Sequence, residues 1–327
     1  MDPDRFEAAA AVLRDAPVVA IACHLNPDAD ALGSMLGLAH HLVARGTRVI
    51  CAFPGPPGSA PRWAKELPGL DLLVDPQDFP AEPDVMVTCD CAAFDRLGEL
   101  GQASTAAREL IWIDHHRSND GLGTIRVVDP DASSTCELVA GLIDAIGGEM
   151  TDASAVCLYA GLITDTGRFQ YEAATPDTLR LAARLREHPF DHARISQMLY
   201  EDNRASYLDV LSIAMGRAQL DEAADLVWTY VLWSDLERAD VGPGDVDDLI
   251  DVLRTAREAD AAALIKQQRD GRFKVSVRSR GAHDLSAVAA AFGGGGHRLA
   301  AGYTSDAGPA ETVAKLRAAL LGELASP

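Results

Sequence analysis

Pro17-Val18-Val19-Ala20-Ile21-Ala22-Cys23-His24-Leu25-Asn26-Pro27-Asp28-Ala29-Asp30 is the stretch on which the fold turns. The unbroken apolar run from Pro17 to Cys23 suits a strand buried on both faces, as strands of parallel sheets are. Ala31 to Arg45 then has helical spacing and stops at Gly46, a residue suited to the left-handed position after a helix. The pattern repeats downstream. Thr47 to Phe53 reads as a strand, followed by a Pro/Gly loop from Pro54 to Pro61. Asp84 to Cys89 and Glu109 to Ile113 read as two more strands, with a short helix, Phe94 to Leu100, between them. Strand and helix in alternation predict an α/β fold with a parallel sheet.

After Val128 the texture becomes helical. Ser134 to Ile146, Asp152 to Ile163, Thr175 to Glu187, Asp191 to Tyr200 and Ala205 to Leu220 all read as helices. A second α/β unit follows. Leu226 to Trp233, Ala261 to Lys266 and Phe273 to Arg278 are its strands, with a turn near Asp270-Gly271. Val246 to Arg257, Leu285 to Phe292 and Glu311 to Leu324 are its helices. The expected division is a first domain over 1–195, a helical linker over 196–222 and a smaller domain over 223–327.

The chain has 327 residues, enough for about two domains. Its 29 basic and 49 acidic residues give a net charge of −20, which disfavours a duplex-DNA clamp. A small anionic substrate held by a few local cations remains compatible. MDPDRFEAAA lacks the pattern of a secretory signal, and no apolar run is long enough to span a membrane. The six cysteines form no CxxC pair and read as reduced thiols in a cytoplasmic protein.

Three of the strands exit into chemistry-bearing residues: His24-Leu25-Asn26-Pro27-Asp28-Ala29-Asp30, Asp90, and Asp114-His115-His116. In open parallel sheets, ligands bind outside the carboxyl ends of the strands, so these residues are expected to converge. Asp165 follows the apolar helix Ala155 to Thr164, where an unpartnered carboxylate is costly. His24, Asp28, Asp30, Asp90, His115 and Asp165 thus supply two imidazoles and four carboxylates. Such a set suits Mn(II), Mg(II) or Co(II), and two divalent cations would balance the four acids. A pair of ions about 3.5–4 Å apart can activate water for in-line attack on phosphorus. Each piece also has a plain structural reading. Asp28 and Asp30 serve equally well as helix caps, and Asp90 alone reads as a turn residue. His40-His41 reads as a solvated or half-buried helix face. Cys89 and Cys91 flank Asp90 and are expected to point together away from it into the core.

The joint pattern resembles the DHH phosphoesterase superfamily. The resemblance rests on His-x-Asn-Pro-Asp-x-Asp-x-x-Gly-Ser at His24 to Ser34, Asp90, Asp114-His115-His116, and Asp165-Thr166-Gly167-Arg168-Phe169. The tail Gly293-Gly294-Gly295-Gly296-His297, with Val275 to Ser279 before it, resembles the DHH-associated C-terminal domain. The combined motifs are similar to the branch that hydrolyses very short oligoribonucleotides and the 3′-phosphate of 3′-phosphoadenosine 5′-phosphate. Some members of that branch cleave cyclic di-AMP or pApA. The resemblance implies that His24, Asp28 and Asp90 hold one ion, and Asp30, Asp90, His115 and Asp165 the other, with Asp90 bridging. His116 would touch substrate or orient the attacked phosphate. The family also implies a homodimer; of the three metals Mn(II) is expected first, with Mg(II) and Co(II) open, since the same oxygen and nitrogen ligands serve all three.

A polyanionic substrate needs cations beyond the metal cluster. Arg278, His297 and Arg298 are the candidates, with Ser279 and the backbone of Gly294, Gly295 and Gly296 beside them. A flexible turn next to a solvated cation is the plain reading of the same segment. Gly293 to His297 is no Walker A motif, because no Gly-Lys-Ser/Thr follows. A family II inorganic pyrophosphatase shares the first-domain motifs, but the chain lacks a Ser-Arg-Lys-Lys signature near its C-terminus. A long single-strand exonuclease would need a further oligonucleotide-binding domain. A non-catalytic nucleotide sensor on the same fold would not need the full ligand set that is present here. Arg117 and Arg168 adjoin metal motifs and are open to phosphate contact or to pairing with nearby acids.

Overall fold

The computed structural model describes residues 3–56, 58–119 and 121–323. The chain forms two compact units that divide between Asp202 and Asn203. Pro57 in the expected loop and Leu324 at the expected end of the last helix lie outside the described residues.

The first unit runs α1 (Pro3–Asp15), β1 (Val18–Cys23), α2 (Ala29–Ala44), β2 (Arg48–Ala52), β3 (Val85–Cys89), α3 (Gly101–Ala106), β4 (Glu109–Asp114), β5 (Ile125–Val128), α4 (Thr135–Ile146), α5 (Asp152–Asp165), α6 (Pro176–Leu185) and α7 (His192–Tyr200). Its sheet has the order β2-β1-β3-β4-β5, and every neighbouring pair is parallel. The apolar run of β1 packs on both sides of this sheet. Val19, Ile21 and Cys23 enter one core, and Ala20 and Ala22 enter another. A fully buried valine or isoleucine contributes roughly 1.5–3 kcal/mol, so the two-sided run strongly fixes this strand in place. Strand order reverses at β1, because β2 lies on one side of it and β3 on the other. That reversal opens a crevice beyond the carboxyl ends of β1 and β3.

Two expectations for this unit need correction. His41 is buried at 1% exposure, not solvated, and neither ring nitrogen has a hydrogen-bond partner among the described residues. The cause is that α2 packs closely against α5 and α4, which leaves little of its surface open. Cys89 and Cys91 do not share a face either. Cys89 packs in the core with Val19 and Ile21, and Cys91 in the one with Ala20 and Trp112. Asp90 between them has φ +57°, a left-handed turn that breaks the strand's alternation. The short helix expected from Phe94 is a 3-10 turn interrupted at Gly98, where φ is +48°.

The second unit runs α8 (Tyr207–Gly216), β6 (Gln219–Asp221), β7 (Leu226–Val231), α9 (Trp233–Ala239), α10 (Leu249–Leu253), β8 (Ala261–Gln267), β9 (Phe273–Ser279), α11 (Leu285–Ala290), β10 (Gly295–His297), β11 (Ala300–Ser305) and α12 (Pro309–Leu320). Its sheet is mixed, in the order β10-β11-β9-β8-β7-β6, with β7 and β8 parallel and the other pairs antiparallel. One face of β7 and β8, with Val227, Ala262 and Leu264, packs on α8, α9 and α10. The other face of the sheet, with Ala263 of β8 and Val275 and Val277 of β9, packs on α11 and α12. The helix expected to run to Leu220 ends at Gly216, and Gln219–Asp221 turns into the edge strand β6.

Candidate metal centre

His24 leaves β1 into the crevice and is buried. Its Nδ1 lies 2.9 Å from the Leu25 carbonyl oxygen. Its Nε2 faces Asp90 Oδ2 at 3.4 Å and Asp28 Oδ2 at 3.8 Å. Burial pulls the imidazole pKa down, but hydrogen bonding and charge from Asp28 and Asp90 push it up to about 10. Asp28 has two roles at once. Its Oδ1 caps α2 by accepting from the N–H groups of Asp30 and Ala31 at 3.1 and 3.0 Å, while Oδ2 remains turned to His24.

Asp30, in the first turn of α2, is buried at 1% exposure. Its carboxylate is gripped by the start of α4: Thr135 N–H donates to Oδ2 at 2.6 Å and Cys136 N–H to Oδ1 at 2.9 Å. Asp90 is also buried and divides its oxygens between two sets of ligands. Oδ2 faces His24, whereas Oδ1 lies 3.7 Å from His115 Nε2 and accepts from the Thr135 hydroxyl at 2.9 Å. His115 Nε2 also meets Asp165 Oδ2 at 3.1 Å and Asp30 Oδ2 at 3.9 Å, with Nδ1 turned to the Ala132 carbonyl at 3.3 Å.

Ligand atoms of His24, Asp28 and Asp90 gather within 4.8 Å of one another, and so do those of Asp30, His115 and Asp165. The acids in this cleft shift in opposite directions. Burial, followed by the negative charges of Asp90 and Asp165, pushes Asp30 well above the carboxylate range. Burial and the charges of Asp90 and Asp28 do the same to Asp165. Asp90 is held far below that range, because hydrogen bonding to His24 and the charges of His116, His24 and His115 outweigh its burial. Acids this close and this buried carry charge that a bound cation would offset. Oxygen and imidazole donors of this kind fit two divalent ions.

His116 sits beside the cluster. Its Nδ1 is 2.7 Å from Asp114 Oδ1, and Asp114 is fully buried and also accepts from Asn119 Nδ2 at 2.6 Å. This contact orients the imidazole ring through Nδ1. Burial lowers the pKa of His116, but Asp114 and then Asp90 push it up to about 9.

Sequence reasoning missed Thr135, Asp114's grip on His116, and Arg96. The Arg96 guanidinium lies 3.0 Å from His24 Nδ1 and donates to the Leu25 carbonyl at 3.3 Å, while its own carbonyl accepts from Leu25 N–H at 2.9 Å. No motif announces Thr135 or Arg96, since each acts on a partner distant in the chain, and Asp114 stood in a motif without showing that it would hold His116. Arg117 pairs with Asp131 at 3.2 Å. Arg168 lies over the Tyr200 ring, 4.3 Å from its centroid.

The expected substrate residues lie on the second unit. His297, Ala300 and Arg278 are in direct register across β10, β11 and β9, so their side chains share one sheet face. The Arg278 guanidinium donates to the neighbouring Val277 carbonyl at 3.1 Å, and Arg298 donates to the Gly281 carbonyl at 2.7 Å. Ser279 is buried. Its hydroxyl donates to Asp260 Oδ2 at 2.6 Å and accepts from Gly281 N–H at 2.9 Å, which ties the loop after β9. Gly294 and Gly296 press against the backbone of β11, whereas Gly295 is exposed with open space around it.

A parallel sheet with a two-set carboxylate and imidazole cluster at its switch point, followed by a separate mixed-sheet unit, defines a phosphoesterase of the DHH class. The model of the DHH family N-terminal domain matches residues 18–162, and that of the DHHA1 domain matches residues 226–326. The chain belongs to this family. It is 31% identical over 285 residues to the bifunctional oligoribonuclease and PAP phosphatase NrnA of Thermus thermophilus, covering 87% of this chain and 83% of that protein. It is 28% identical over 289 residues to the Bacillus subtilis protein of the same name, covering 85% and 86%. A solved structure of an exopolyphosphatase-related protein from Bacteroides fragilis shares the fold, with TM-score 0.90 at 24% identity over 98% of this chain and 96% of that one.

Proposed function

We propose that this protein hydrolyses very short oligoribonucleotides to mononucleotides and removes the 3′-phosphate of 3′-phosphoadenosine 5′-phosphate. The observation that carries the reading is Asp90, whose two oxygens face separate ligand sets on opposite sides of one buried carboxylate. The names of the Thermus and Bacillus relatives support the substrate class. We assign His24, Asp28 and Asp90 to one divalent ion and Asp30, Asp90, His115 and Asp165 to the other, with Mn(II) preferred to Mg(II) or Co(II). When bound, the ions lower the pKa of a water and offset charge on the attacked phosphate.

The protein's own groups do the rest. His116, held at Nδ1 by Asp114 beside the cluster, is placed to meet a phosphate oxygen or a leaving oxygen. Arg278, His297 and Arg298 supply positive charge for the remaining phosphate, and the exposed Gly295 allows close approach of the nucleotide. The family resemblance leads us to propose a homodimer, and the six free cysteines a cytoplasmic location.

The test is product formation with Mn(II) from 3′-phosphoadenosine 5′-phosphate, pApA, cyclic di-AMP and pyrophosphate, each beside a chelator control. Chelator-sensitive release of AMP from the first two is expected. Asp90→Ala should abolish it while circular dichroism shows a folded chain. Efficient cleavage of pyrophosphate alone would overturn the substrate assignment. Normal turnover by Asp90→Ala would overturn the metal assignment.

A further inference from the structure

Thr135 is buried at the first position of α4 and touches two of the acids at once. Its hydroxyl donates to Asp90 Oδ1 at 2.9 Å, and its backbone N–H donates to Asp30 Oδ2 at 2.6 Å. These partners lie 45 and 105 residues away in the chain. We propose that Thr135 is a positioning residue of the centre, which sets the rotation of the Asp90 carboxylate so that each oxygen serves a different ion. The proposal rests on the two-ion reading above.

The need for such a contact follows from the geometry of aspartate. The terminal torsion of its side chain is broad and roughly two-fold, so nothing intrinsic fixes which way the oxygens point. Asp90 itself is left-handed just past the end of β3, and although its N–H still donates to the Ile113 carbonyl at 2.9 Å, that bond holds the backbone and not the rotation of the carboxylate. Its histidine neighbours cannot fix the rotation alone, because His24 approaches one oxygen and His115 the other at 3.4 and 3.7 Å. The threonine hydroxyl is the shortest side-chain contact to Oδ1, shorter than those of His115 and of His116 Nδ1 at 3.6 Å. A hydroxyl donating to one oxygen leaves that oxygen's second lone pair for another partner.

The start of α4 is rigid enough to act as a reference point. Ser134 caps it by accepting from Glu137 N–H at 3.1 Å. Glu137 in turn accepts from Ser133 N–H at 3.0 Å, from the Ser133 hydroxyl at 2.5 Å and from the Thr178 hydroxyl at 3.3 Å. The segment Ser133 to Glu137 therefore holds Thr135 from both sides, and the backbone N–H groups it exposes grip Asp30. Hydrogen-bond partners of metal ligands commonly contribute 10- to 100-fold in metal affinity.

The experiment compares Thr135→Val and Thr135→Ser with the unaltered protein. Valine removes the hydroxyl but keeps the side-chain shape and the backbone N–H that serves Asp30. Mn(II) is titrated into the metal-free full chain by calorimetry, and electron paramagnetic resonance reports whether the bound ions are magnetically coupled. The unaltered protein is expected to bind two coupled ions. Thr135→Val should bind one of them 10- to 100-fold more weakly and lose the coupled signal, and Thr135→Ser should restore both. Two coupled ions of unaltered affinity in Thr135→Val would overturn the positioning role while leaving the two-ion reading intact. Fewer than two ions in the unaltered protein would overturn the two-ion reading and the role together. Should Thr135→Val fail to fold, Thr135→Ala removes the same hydroxyl with less bulk and is read by the same outcomes.

Discussion

Alanine at position 294 and alanine at position 295 should act in opposite directions, although the two glycines are adjacent. A Cβ at Gly294 would lie 2.2 Å from the Gly302 carbonyl oxygen and 2.5 Å from Tyr303 Cβ. Both atoms belong to β11, so relief requires moving a paired strand away from its neighbour. Overpacking of this kind costs about 1–3 kcal/mol. At about 4 °C per kcal/mol for a unit of this size, Gly294→Ala should lower Tm by roughly 4–12 °C. A Cβ at Gly295 meets nothing within 4 Å. Alanine there reduces the freedom of the unfolded chain and should raise stability by about 0.4–1 kcal/mol. The informative measurement is therefore the kinetics of Gly295→Ala, made beside calorimetric melting of the full chain. A nucleotide that lies against the bare backbone should meet the added methyl group, and KM for 3′-phosphoadenosine 5′-phosphate should rise about tenfold or more, equivalent to about 1.4 kcal/mol, with Tm unchanged or higher. Unchanged KM in a stable Gly295→Ala would refute substrate approach at this residue and leave the run as a strand-packing device. An unchanged Tm in Gly294→Ala would refute the close approach of Gly294 to β11.

Two further outcomes follow from the same geometry. The Arg278 side chain donates to its own neighbour's carbonyl, so Arg278→Ala should shift stability by less than about 0.5 kcal/mol. The loss of a charged hydrogen bond to phosphate should lower kcat/KM about 10- to 100-fold, and unchanged kinetics would remove Arg278 from the site. His24, with its pKa raised to about 10 by Asp28 and Asp90, carries a proton at neutral pH in the metal-free protein. A metal at Nε2 must displace that proton, so apparent Mn(II) affinity should rise with pH up to about 10 and binding should release protons. Calorimetry in two buffers of different ionisation enthalpy measures the release, and a pH-independent affinity would exclude His24 as a ligand.

The sequence displays most plainly what is buried on two faces. β1, β3 and β4 stand out because residues on both sides of the parallel sheet must be apolar, and the polar residues that end them lie in the crevice. β5 does not stand out. It is four residues at a sheet edge, with Arg126 exposed in its middle. β10 and β11 are rich in glycine and alanine, residues with weak strand preference, and their pairing depends on backbones that approach closely. The cluster of carboxylates and imidazoles was legible because these residue types recur at strand ends, where a parallel sheet brings them together. Thr135 and Arg96 were not, because a hydroxyl at a helix start and a cation in a turn become informative only when the fold sets them against Asp90 and His24.

Asp28 shows why structural and functional readings of a motif need not compete. One oxygen satisfies two N–H groups at the start of α2 and the other faces His24, so a single carboxylate both starts the helix and joins the cluster proposed to hold an ion. Asp30 and Asp90 extend the same economy, each with hydrogen bonds to the start of α4. The crevice at the reversal of strand order is where such sharing is possible, because strand ends and helix starts from distant parts of the chain meet there. The arrangement has a cost. Asp30 and Asp165 are driven toward neutrality by burial and by the charge of Asp90, while Asp90 keeps its charge against its own burial chiefly through His24, His116 and His115. Divalent cations would relieve this conflict by stabilising all four carboxylates together, so the residues that weaken the metal-free cleft are the ones that would bind metal most strongly.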